Sequence, residues 1–81
     1  MSKIIELIKS GDLERALKLI GSQEIKRGRS LELIKLRIGC LQGLGKLKES
    51  LYFLSIAHKM SPANREITND LILTLDTLGQ S

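Results

Sequence analysis

Three glycines, Gly11, Gly45 and Gly79, recur at an interval of 34 residues. Their surroundings recur with them. Gly11-Asp12-Leu13-Glu14-Arg15-Ala16-Leu17 lies in register with Gly45-Lys46-Leu47-Lys48-Glu49-Ser50-Leu51. Small residues match small ones (Ala16, Ser50), leucines match leucines, and Ile20 falls over Leu54. Upstream, Ile4 falls over Ile38 and Ile72, and Leu7 over Leu41 and Leu75. A period in this range means one supersecondary unit repeated, each copy burying its apolar face on the next. That excludes most small-domain architectures at once.

The units read as helices. Ile34, Ile38 and Leu41 recur at helical spacing before Gly45, and Leu47, Leu51, Leu54 and Ala57 do so after it. Leu, Ile, Lys and Glu dominate the chain, Val is absent, and Pro62 is the only proline. Helices are expected near 2–10, 13–25, 31–44, 47–60 and 65–78, with Asp12, Ser30 and Asn64 as N-caps. Gly45 is expected to end its helix with a positive φ. Gly21 leaves an alternative for the second helix. A helix-interior glycine costs about 1 kcal/mol against alanine, so the helix could stop there and leave 21–30 as a mobile basic loop. The fold expected is all-α: antiparallel helix-turn-helix repeats stacked as a short right-handed α-solenoid of about five helices. Its units are 1–30, 31–64 and a partial 65–81.

The period, the helix–turn–helix units and the closing Pro62 resemble the tetratricopeptide repeat family, over the whole chain, as about two and a half repeats. The unit Leu31–Asn64 carries the turn glycine (Gly45), a small residue in its second helix (Ser50), then Leu54, Ala57 and Pro62. It departs from the family pattern at Ile34, where a large aromatic is usual, and at Ile38, where a small residue is usual. The first unit has Gly28 where the proline would sit and Gln23 in place of the second alanine. The resemblance implies a concave groove lined by the first helix of each unit, holding a peptide or helix of a partner protein. The groove residues it implies are Ile5, Ile8, Lys35, Leu36, Gly39, Gln42, Asn69, Asp70 and Leu73. Gly39 and Gly43 would give it a floor without side chains, or would only make room for a neighbouring helix. Some members grip an acidic C-terminal peptide with a clamp of Lys, Asn and Arg. The equivalent places here are Met1, Ile5, Leu36, Glu66 and Asp70, an apolar and acidic set. An amphipathic helix, or a segment with apolar and basic residues, suits the groove better.

Gly43-Leu44-Gly45-Lys46 invites a phosphate-loop reading and does not support it. A P-loop needs four residues between its glycine and Gly-Lys, then Ser or Thr, after a strand. Here Cys40 stands where the first glycine should be, and Leu47 where Ser or Thr should be. Cys40 is a lone thiol expected in the core, and His58 is the only histidine, on a partly exposed helix face. One of each makes no metal cluster and no His-based triad. No enzyme activity and no cofactor are expected. The single cysteine cannot form an internal disulfide, Glu6 and Lys9 interrupt any signal-like N-terminal run, and no apolar stretch approaches the ~20 residues of a membrane span. The expected setting is the cytoplasm.

The net charge of +4 is uneven. Residues 26–48 hold seven cations against Glu32 alone, whereas residues 61–81 hold Arg65 against Glu66, Asp70 and Asp76. A basic middle and an acidic tail point to an acidic partner or to self-association. Nucleic-acid binding through 26–48 is the weaker reading, because Tyr52 and Phe53 are the only aromatics available for stacking. The last helix is too apolar for one buried stripe, with Ile67, Leu71, Ile72, Leu73, Leu75 and Leu78. Terminal repeats normally turn a polar face outward. Ile67, Leu71, Leu75 and Leu78 are therefore expected to be covered by another copy of the chain, giving a homodimer, by a partner, or by residues missing because the chain is a fragment. Three functions are carried forward: a protein-binding adaptor or scaffold, a self-assembling unit, and a nucleic-acid binder.

Overall fold

Five helices and no strand make up the described residues, 2–79, of the computed structural model. They are α1 (Ser2–Lys9), α2 (Leu13–Arg27), α3 (Leu31–Gly43), α4 (Leu47–Met60) and α5 (Arg65–Gly79). Every boundary lies within two residues of its predicted place. Each helix packs against the next in sequence, so the chain is an all-α stack of helix–turn–helix units.

The repeated glycines make the same turn twice. Gly11 and Gly45 have φ of 85° and 76°, a region that residues with a Cβ rarely adopt. The Gly11 N–H donates to the Ile8 carbonyl at 3.1 Å and the Asp12 N–H to the Leu7 carbonyl at 2.9 Å. Thirty-four residues on, the Gly45 N–H donates to Gln42 at 3.1 Å and the Lys46 N–H to Leu41 at 2.8 Å. This paired pattern satisfies the carbonyls that a helix end leaves open. Asp12 and Lys46 share one backbone conformation, φ −86°, ψ 68° and φ −87°, ψ 68°. They differ only in what the side chain does. Asp12 accepts from the Arg15 N–H, whereas Lys46 makes no cap. The Ser30 hydroxyl accepts from the Leu33 N–H at 3.2 Å and the Asn64 side chain from the Ile67 N–H at 3.3 Å. All three predicted caps are in place.

The core has two parts. One gathers Ile4, Ala16, Ile20, Leu33 and Cys40 from α1, α2 and α3. The other gathers Ile34, Ile38, Leu54, Ala57 and Ile67 from α3, α4 and α5. Helix α3 contributes to both, and Ala16 and Ser50, equivalent in the repeat, are both fully buried. Ile67 was expected at an intermolecular interface. It is 2% exposed and its side chain is spent on the second core, so it has no surface to offer.

Helix α2 runs through Gly21 to Arg27, so 21–27 is not a loop. What outweighs the glycine cost is tertiary. Ile20 is fully buried, and Glu24 forms an ion pair with Arg37 of α3. A Cβ at Gly21 would sit 3.8 Å from the Arg37 guanidinium. The same guanidinium lies over the Phe53 ring of α4, 4.8 Å from its centroid. Glu24 also meets Arg29 at 3.3 Å, tying down the turn after α2. Glu24 and Arg37 are both mostly buried, so removing one partner strands the other.

Two stability predictions follow. Lys46→Asp should install the missing cap on a backbone already shaped for it and raise unfolding free energy by about 1 kcal/mol. An unchanged urea midpoint would count against it. Glu24→Gln should lower stability by about 2 kcal/mol, read from the same denaturation curve.

Candidate functional site

Helices α3 and α5 both pack on α4, and Ile38 and Ile67 meet in the shared core beneath them. That places α3 and α5 side by side with a cleft of about 180 Å³ between them. Its floor is Ile38, Gly39 and Ile67. Lys35 and Gln42 form the α3 wall, Glu66 and Asp70 the α5 wall. The cleft continues past Gln42 and Asp70 into a second hollow of about 260 Å³ lined by Leu47, Leu73, Thr74 and Thr77. Leu73 is 62% exposed there. The Lys35 Nζ and a Glu66 carboxylate oxygen are 3.8 Å apart across the first part. Both side chains are exposed, so this pair is loose and contributes little.

The two α3 glycines part company. Around Gly39 there is no atom within 4 Å of where a Cβ would lie. Gly43 is different, since a Cβ there would come within 2.6 Å of the Leu13 side chain of α2. Gly43 makes room for a neighbouring helix, whereas Gly39 opens onto the cleft.

The predicted groove residues divide along the same line. Lys35, Gly39, Gln42 and Asp70 line the first hollow, and Leu73 lines the second. Asn69 is exposed on α5 outside both linings. Ile8 and Leu36 are half-buried and pack against the core between α1, α2 and α3, leaving them little surface for a partner. Ile5 is exposed on α1. Of the clamp positions, Met1 lies outside the described residues, and Glu66 and Asp70 face the cleft as carboxylates. Leu47 was read as a core position and instead lines the cleft. Its signal in the sequence is indistinguishable from that of a core leucine.

The predicted interface set is scattered. Ile67 is core, Leu71 packs against the core, Leu75 is exposed, and Leu78 borders a hollow beside Gly45–Glu49. The basic middle is partly neutralised, because Arg29 and Arg37 both meet Glu24 and Lys35 meets Glu66. Tyr52 and Phe53 pack edge to face on each other, with centroids 5.1 Å apart.

Neither Cys40 nor His58 lines the cleft. Cys40 is fully buried, and burial pushes its thiol up from the ordinary range, away from the reactive thiolate. The half-buried His58 has an Nδ1 without a hydrogen-bond partner, so it does not extend into a relay. Among the described residues no group of three or more His, Cys, Asp or Glu is placed to hold a metal, and no helix is long and apolar enough to cross a membrane. The thiol shift carries a sign. The folded chain holds the Cys40 proton more tightly than the unfolded chain, so its stabilising share is full below the unfolded value and falls as pH rises past about 8.5. Cys40 should resist a thiol reagent in the native chain and react fully in denaturant.

No family model, curated protein or solved structure matches this chain.

Proposed function

We propose that the chain is a non-enzymatic protein-binding module of the tetratricopeptide-repeat kind, an adaptor or scaffold acting in the cytoplasm. Its groove between α3 and α5 takes a helix or extended segment of a partner. One observation carries the reading. Gly39 lies inside α3 with open space where its side chain would be. A glycine inside a helix costs about 1 kcal/mol against alanine, and nothing in the chain's own packing requires it. Space for a partner's backbone or side chain does.

The walls describe the ligand. Glu66 and Asp70 favour a cation on the incoming segment, and Lys35 lies opposite. Leu73 and Leu47 at the far end favour an apolar side chain. An amphipathic segment carrying one or two Lys or Arg fits both ends. Nucleic acid is the weaker reading, since Arg29 and Arg37 of the 26–48 stretch are drawn to Glu24 and the chain has only Tyr52 and Phe53 to stack on bases.

Selection of helix-forming peptides on the wild-type chain, with binding re-measured on Gly39→Leu and Leu73→Lys, tests the groove. Both variants should weaken the selected peptides by about tenfold or more, the loss of a central contact in a small interface. They should keep native helicity, because both positions face open space. Peptides that bind all three proteins equally would remove the groove from consideration.

A further inference from the structure

The repeat register shows what α5 lacks. Ile4 and Ile38 are buried in the first two units, 2% and 4% exposed, yet their equivalent Ile72 is 58% exposed. Leu41 is buried, yet its equivalent Leu75 is 52% exposed. In the earlier units α2 and α4 pack against the helices bearing these residues. On α5 the same apolar pattern meets solvent, with Asp76 exposed among it, while Asp70 faces the cleft on the other side of the helix.

At the other end of the stack lies a complementary surface. Helices α1 and α2 enclose a hollow of about 260 Å³ with Leu7 and Leu19 at its base and Lys3, Arg15 and Lys18 around it. No carboxylate lines it, although Arg15 pairs with Asp12 beside it at 3.4 Å. Because each helix packs on the next, the α1–α2 pair and α5 are the two ends of one stack. One end is apolar with Asp76 on it, the other apolar with three cations.

We propose that the occupant of the α5 face is a second copy of the chain, docked head to tail. In this arrangement Ile72 and Leu75 of one copy cover Leu7 and Leu19 of the next, and Lys3 and Lys18 meet Asp76. Like would face like in a two-fold pairing of α5 with α5, which brings the two copies of Asp76 together and leaves the basic hollow empty. The head-to-tail contact uses both surfaces and both charges. It is heterologous, so it propagates into open chains unless its rotation closes a ring. The groove between α3 and α5 opens on a different side of α5, so this association stands independently of the proposed peptide binding.

Sedimentation velocity on the full chain, across concentration and salt, tests this together with two single-end variants. Wild type should form species heavier than its 9.0 kDa monomer, with affinity falling about tenfold from low to high salt. Leu75→Lys blocks the tail and the double variant Lys3→Glu, Lys18→Glu blocks the head. All three are exposed positions, and circular dichroism checks that both variants stay folded. Each variant alone should be monomeric, and their mixture should form a one-to-one pair that grows no further. A monomeric wild type at high concentration overturns the proposal. So does a head-blocked variant that still dimerises, the mark of a two-fold α5 contact, or a mixture that fails to pair.

Discussion

Everything in this chain is arranged around one helix that feeds two cores. Helix α3 sends Leu33 and Cys40 into one core and Ile34 and Ile38 into the other. Neither core closes without it, and neither neighbouring helix pair could hold position alone in a chain this short. The polar contacts follow the same axis. Arg37 leaves α3, reaches back to Glu24 on α2 and lies over Phe53 on α4. One side chain thus links three consecutive helices. What remains of the α3 surface is narrow: Lys35, Gly39 and Gln42, the edge from which the cleft is built.

The local code and the tertiary code differ in how far they can be read in advance. Helix number, ends and caps were legible because each depends on residues within four or five positions. Asp12, Ser30 and Asn64 cap helices whose first N–H groups lie three residues on. Gly11 and Gly45 turn the chain wherever they stand. Gly21 misleads for the same reason, since its local cost is real but is outweighed by a partner thirteen residues beyond Glu24, where no short pattern points. The interface set shows the other limit. Ile67 and Leu75 are both large, apolar and on one helix. Which of them is buried depends on the direction of α4, not on any property of either residue.

Charge tells a similar story. The basic stretch looks uniform when counted along the chain. In three dimensions Glu24 draws in Arg29 and Arg37, while Glu66 draws Lys35 across the cleft. The cations with no such partner among the described residues include Lys26, Arg27, Lys46 and Lys48, which sit at helix ends and turns. The cations left free in the middle of the chain therefore lie at helix ends and turns rather than on a continuous basic face.

The order of packing, each helix on the next in sequence, has a consequence for motion. Among the described residues the packing runs chiefly between helices adjacent in sequence, so opening a terminal element breaks one main interface where opening a central one breaks two. Amide protection in such a stack is expected to be greatest in α3 and α4 and to fade toward both termini. One wall of the cleft is α3, held by helices on both sides, and the other is α5, held mainly by α4. The cleft is thus a fixed jaw facing a hinged one. Any movement of the last helix changes the width of the cleft and, because Ile67 lies in the second core, draws on that core as well.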